Sequence, residues 1–244
     1  MRQLVLTLCL GLLAAGCGGS TPDQSATRAL RFAVIPKALD IPVFNYARIG
    51  AERKAKELGN IEVIWRAPES ADQLRQKEIL ESFITQRVDG IAISCTNGDF
   101  LAPTIDKAIA AGIPVITWDA DAPTSQRIAY YGVDDFKGGQ RLASEAVTVL
   151  GGKGKVALMT SLGSYNLQRR LDGVNDVRKQ HPGITIIETF DVKEDIVRAG
   201  EIIATTTNRH RDLAAWISVG GWPIMTRNAL DPVDSARTRV FSFD

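Results

Sequence analysis

The residues able to do chemistry in this chain are carboxylates, an amide, a guanidinium and aromatic rings, not a nucleophile paired with a base. Asp119 closes the apolar run Val115-Ile116-Thr117-Trp118, and Asp121 follows two residues later. Lys37 and Phe44 flank a loop after another apolar run, Asn166 and Arg170 open a helix-patterned stretch, and Gly220-Gly221 leads into Trp222-Pro223. Carboxylates, amides and guanidinium groups hold hydroxyls in fixed geometry, and aromatic rings cover an apolar C–H face. A small polyhydroxylated molecule presents both kinds of surface.

Signatures of catalysis are missing from the sequence. It contains no Gly-x-Ser-x-Gly elbow, His-Glu-x-x-His pair or Cys-x-x-Cys. His181 precedes Pro182 and His210 lies between arginines, both turn or surface contexts. Gly151-Gly152-Lys153-Gly154-Lys155 precedes its strand, whereas a phosphate loop follows one, so it reads as a turn. Cys95 ends an apolar run as a small buried residue. Asp121, just before Pro123, also suits a turn. The chain is expected to be no enzyme and to need no metal or cofactor.

The elements that would position these groups alternate regularly. Strands are expected at 31–35, 61–65, 90–94 and 113–118, with helices at 45–58, at 102–111 and after an Asp72 cap, the last burying Leu74, Leu80, Phe83 and Ile84. The pattern pauses over 119–133. It resumes with helices at 136–150, 166–180, 196–208 and 223–230, and strands at 155–160, 185–190, 214–219 and 239–243. Runs such as Ile91-Ala92-Ile93 are continuous, as in parallel strands buried on both faces. The fold class is therefore α/β, two Rossmann-like lobes with parallel sheets, and ligands gather at the carboxyl ends of such strands.

Composition narrows the partners. The 244 residues carry 29 basic and 28 acidic side chains, with no basic block to serve as an electrostatic footprint for nucleic acid. Hydrophobic residues make up 45%, enough for a packed core without disulfides. Arg2, the apolar stretch Leu4 to Leu13 and Ala14-Ala15-Gly16-Cys17 form an export signal, too short for the roughly 20 residues that span a bilayer. The ending Leu-Ala-Ala-Gly-Cys resembles a bacterial lipobox, which implies lipid attachment at Cys17 and localisation at the periplasmic or cell-surface face of the membrane. The expected organisation is a signal peptide over 1–16, a Gly/Ser/Thr-rich tether over 17–29, an N-terminal lobe over 30–131 and a C-terminal lobe over 132–244.

Several strand-end motifs then occur in order. They are Ile35-Pro36-Lys37, Val88-Asp89-Gly90-Ile91, Ala110 to Val115, Trp118-Asp119-Ala120-Asp121, Tyr131 to Asp135, Arg170-Leu171-Asp172-Gly173 and Phe241-Ser242-Phe243-Asp244. Collinear from about Arg31 to Asp244, they resemble the type I periplasmic sugar-binding proteins, the ribose-, galactose- and autoinducer-2-binding group. The resemblance implies a monomeric receptor that closes on a small carbohydrate and delivers it to an ABC importer permease. It makes Asp119 the principal hydroxyl acceptor and Asp121 a weaker one. Lys37 supplies a polar contact, Phe44 a stacking wall, Asn166 and Arg170 the second-lobe contacts, and Asp244 a terminal one.

Two departures bear on the ligand. Trp222 stands where many sugar binders carry an asparagine, and Ala120 where ribose binders place an arginine, so a ribose-identical pocket is not expected. The resemblance also implies that the first lobe is incomplete, with about two βα units, ~60 residues at ~30 per unit, still to come. Alternatives are an autoinducer-2-like or sugar-sensing receptor without a transport role, a repressor-type sugar-binding core, and an exported α/β enzyme. The N-terminal export signal occupies the place where a repressor carries its helix-turn-helix.

Overall fold

A computed structural model of the chain describes residues 28–225 and 227–243. The expected signal peptide, residues 17–27 of the expected tether with Cys17, and Asp244 lie outside the described residues. The remainder forms two parallel sheets. The first contains β1 (Leu30–Ile35), β2 (Ile61–Trp65), β3 (Gly90–Ile93), β4 (Val115–Trp118) and β5 (Ala129–Tyr131), in the order β2-β1-β3-β4-β5. The second contains β6 (Gly154–Thr160), β7 (Ile184–Asp191), β8 (Leu213–Ser218) and β9 (Arg239–Ser242), in the order β7-β6-β8-β9. Residues 132–134 carry the chain from one sheet to the other.

The helices are α1 (Phe44–Leu58), α2 (Gln73–Thr85), α3 (Gly98–Ala110), α4 (Asp135–Leu150), α5 (Tyr165–Lys179), α6 (Ile196–Arg209) and the single turn α7 (Trp222–Met225). Local chemistry sets their starts. Asp72 accepts from the N–H groups of Leu74 and Arg75 at 2.8 and 3.0 Å, and Asp195 does the same for α6, satisfying donors a helix start leaves orphaned. Gly151 ends α4 in the left-handed region at φ 64°, which explains the glycine-rich turn there.

Each sheet packs its helices around its own core. Ile35, Phe83, Ile93, Leu101 and Ile105 fill the first, and Leu158, Met159, Ile203 and Trp216 the second. Trp216 is fully buried, and its indole N–H donates to Thr207 Oγ1 at 3.0 Å, so its polar end is satisfied.

Four expectations need correction. Residues 119–133 contain the short strand β5, which adds to the edge of the first sheet beside β4. Asn97 accepts from the Phe100 N–H at 3.1 Å and starts α3 at Gly98, four residues before the expected start at 102. Leu74 is 60% exposed, because the second residue of α2 faces away from the sheet and Gln76, Leu80 and Phe83 form the buried stripe. Finally, α7 stops at Met225, and 227–230 continue as turns.

Candidate functional site

The carboxyl ends of both sheets open onto one cleft. The first lobe contributes Lys37 after β1, Phe44 at the start of α1 and Asp119 directly after β4. From the second come Asn166 and Arg170 on the first turns of α5, Glu194 after β7, and Trp222 after β8. The cavity they enclose is about 410 Å³ with its open mouth included.

Asp119 is the best-positioned acceptor. Its φ of 57° lies in the left-handed region, uncommon for a residue with a side chain. Backbone bonds hold that conformation: the Asp119 N–H donates to Tyr131 O at 3.1 Å, and the Tyr130 hydroxyl donates to Asp119 O at 2.9 Å. Ser94, at the end of β3, donates to Oδ2 at 2.6 Å and aims the carboxylate into the cleft. From the opposite lobe, Asn166 Nδ2 donates to Oδ1 at 3.3 Å.

Lys37 is buried at the centre of the same network. Its ammonium donates to Glu194 Oε1 at 3.0 Å and to Asn166 Oδ1 at 3.3 Å, and lies 3.9 Å from Asp119 Oδ2. Burial alone would push its pKa down, but the carboxylates of Glu194 and Asp119 outweigh that and hold it above the ordinary lysine value. Glu194 Oε2 accepts from the Trp222 indole N–H at 3.2 Å, so that carboxylate is fixed at both oxygens.

An aromatic wall flanks these polar groups. Phe44 meets Trp118 edge-on with centroids 5.4 Å apart, and Trp65 lies behind Trp118 at 6.3 Å. Met225 of the second lobe packs against this cluster, so an apolar contact joins the lobes beside the polar one.

The structure thus brings Lys37, Phe44, Asp119, Asn166, Arg170 and Trp222 to one place. Arg170 is already heavily engaged. It donates to Asp135 Oδ1 at 2.8 Å and to Val219 O at 3.1 Å, and its guanidinium stacks 3.6 Å from the Phe243 ring centroid. Burial pushes the Asp135 carboxyl up, against the pull of Arg170.

Asp121 departs from the expectation of a ligand contact. It is buried away from the cleft, where it binds Arg127, accepts from Thr117 Oγ1 at 2.5 Å and takes the Ala122 N–H at 2.7 Å. Burial raises that carboxyl, but these bonds together hold it below the ordinary range. Its acceptor capacity is used within its own lobe, as befits a turn residue. Asp244 lies outside the described residues.

Sequence reasoning missed Glu194. The available signal was an acidic residue in the loop after β7, immediately before the Asp195 cap, at the carboxyl end of a parallel strand. Among the described residues, no group of three or more His, Cys, Asp or Glu could hold a metal ion.

Residues 32–243 match the model of the periplasmic binding protein domain. The ribose import binding protein RbsB of Bacillus subtilis is 25% identical over 220 residues, 87% of this chain and 70% of the relative. The xylitol-binding protein of Mycolicibacterium smegmatis is 28% identical over 189 residues, 76% of this chain, which spans only about half (52%) of that relative's length. Among solved structures, an ABC transporter solute-binding protein from Burkholderia graminis in complex with D-arabinose superposes with a TM-score of 0.81 at 28% identity. That match covers 89% of this chain and 76% of the other. The glucose-galactose binding protein GanP of Geobacillus stearothermophilus superposes at 0.79 with 29% identity, covering 89% and 78% respectively.

Proposed function

The chain belongs to the periplasmic binding protein family, and from that premise we propose that it binds a small carbohydrate between its lobes and delivers it to an ABC importer permease. The observation that carries this reading is Asp119. A carboxylate held at a strand end in a strained conformation, aimed into a cleft by Ser94 and faced by Asn166, is an acceptor built for a hydroxyl donor. Phe44 supplies the apolar face, and the Lys37 ammonium supplies a donor for ring and exocyclic oxygens. Ligand hydroxyls exchange with the bonds that Lys37, Asn166, Glu194 and Asp119 now make across the cleft, and parting the lobes admits the ligand. The chain binds and releases, and performs no reaction.

The same reading includes the cell address. The protein is an exported monomer with a signal peptide over 1–16, a tether over 17–29, a lipid anchor at Cys17 and lobes over 30–131 and 132–244. The test is ligand-induced thermal stabilisation of the full chain across a panel of neutral pentoses, hexoses and pentitols. A binder raises its unfolding free energy by RT ln(1 + [L]/Kd), about 2.7 kcal/mol at a ligand concentration of 100 Kd. No shift with any member at millimolar concentration overturns the proposal.

A further inference from the structure

Glu194 enters the cleft from a loop in an unusual conformation. Lys193 and Glu194 have φ values of 55° and 57°, two consecutive non-glycine residues in the left-handed region. Such backbone persists only where its surroundings over-determine it. Here Asp191 accepts the Lys193 N–H at 3.1 Å, Asp195 caps the next helix, and Trp222 and Lys37 grip the two carboxylate oxygens. The Glu194 side chain is only 10% exposed.

The charges around the cleft do not balance. Arg170 and Asp135 neutralise one another at 2.8 Å. That leaves the single Lys37 ammonium facing two carboxylates, Glu194 at 3.0 Å and Asp119 at 3.9 Å. With Asp135 counted behind Arg170, Lys37 and Arg170 face the carboxylates of Asp119, Glu194 and Asp135, one net negative charge in a place where screening by solvent is weak.

Resting on the sugar-binding reading above, we propose that Glu194 sets the charge of the ligand: neutral polyols are admitted, and sugars bearing a carboxylate or phosphate are excluded. An incoming anion meets Asp119 and Glu194, and a like-charge juxtaposition is strongly unfavourable in a partly buried site. A neutral hydroxyl escapes that penalty, because it can donate to either carboxylate.

The test titrates the full chain with neutral pentoses and hexoses and with the aldonate or uronate derived from each. The wild-type chain is expected to bind its preferred aldose at least about tenfold more tightly than the matching acid, the effect of one partly screened like-charge contact. In Glu194→Gln the Lys37 ammonium becomes available to a ligand carboxylate, and the acid-to-aldose affinity ratio rises at least about tenfold. Adding Lys37→Met to that variant removes the gain. Thermal unfolding accompanies each titration, and the wild-type comparison stands even where a variant fails to fold. Equal wild-type affinity for aldose and acid, or a ratio unmoved in a folded Glu194→Gln, overturns the role of Glu194 and leaves sugar binding intact. Binding of neither class overturns the sugar reading and this one with it.

Discussion

The Lys37 ammonium lies 3.0 Å from Oε1 of Glu194, and the two residues belong to opposite lobes. A buried ion pair inside one rigid core is weak evidence for stability, since desolvation offsets much of its attraction. A pair that spans a cleft has a different consequence: its energy enters the balance between closed and parted lobes. Asn166 to Asp119 and Ser164 to the Thr96 carbonyl cross the same cleft at 3.3 and 3.2 Å, so closure rests on a small set of polar bonds.

Lys37→Met is predicted to act on closure more than on unfolding. Removing one partner of a buried pair in a rigid core costs about 3–5 kcal/mol. Here parting of the lobes returns Glu194 and Asp119 to water, so the unfolding free energy falls by less than that. Small-angle scattering should show a larger radius of gyration than wild type. An unchanged radius with a full core-sized loss of stability would contradict the cleft-spanning role.

Helix α4 crosses α5 at two glycines. A Cβ on Gly139 would overlap the Arg170 carbonyl, and one on Gly173 would overlap the Phe136 carbonyl. Gly139→Ala must push the helices apart, at a cost of about 1–3 kcal/mol, or about 2–12 °C in Tm for a chain of this size. Because the clash falls on Arg170, sugar affinity should weaken as well. A melting curve that superimposes on wild type would show that the helices have room to spare.

Acid should loosen the first lobe through Asp89. Side-chain hydrogen bonds from Arg28, then the Arg31 N–H, lower its pKa from the ordinary 3.8 to about 2. The folded chain therefore binds fewer protons than the unfolded chain between these values. The contribution is complete above the unfolded value and is lost as pH falls through the window towards about 2. Urea midpoints at about pH 5 and about pH 2.5 should converge more in Asp89→Asn than in wild type. An identical acid slope in both proteins would remove Asp89 from the acid response.

Much of the fold was legible because parallel strands buried on both faces leave continuous apolar runs. Ile91 to Ile93 and Val115 to Trp118 are of this kind, and Asp119 follows directly as a strand-end residue. The strand Ala129–Tyr131 was not, since three residues at a sheet edge carry no period of their own. Glu194 was hidden for a different reason: its direction depends on two left-handed residues and on an indole from another loop, which are tertiary facts. Asp121 runs the other way. The resemblance made it a weaker acceptor beside its turn reading, and Arg127, six residues later, consumes its carboxylate.

Cys17→Ser is predicted to leave the chain unlipidated. The other cysteine of the exported body, Cys95, is buried, with its thiol pKa pushed up to about 12 chiefly by burial, and cannot substitute as an acceptor. Fractionation of cells fed labelled lipid reads the result. A Ser variant that is still labelled and still membrane-bound would rule out the anchor at Cys17.

The most direct test of the whole account is calorimetric titration of the wild-type chain and Asp119→Ala with the neutral aldose that stabilises the protein most. The account predicts saturable 1:1 heat for wild type. It predicts affinity lower by about 30- to 150-fold in Asp119→Ala, the loss of one charge-assisted bond worth about 2–3 kcal/mol. Equal affinity in the two proteins, with the variant folded, would contradict the placement of the ligand against Asp119 in the cleft.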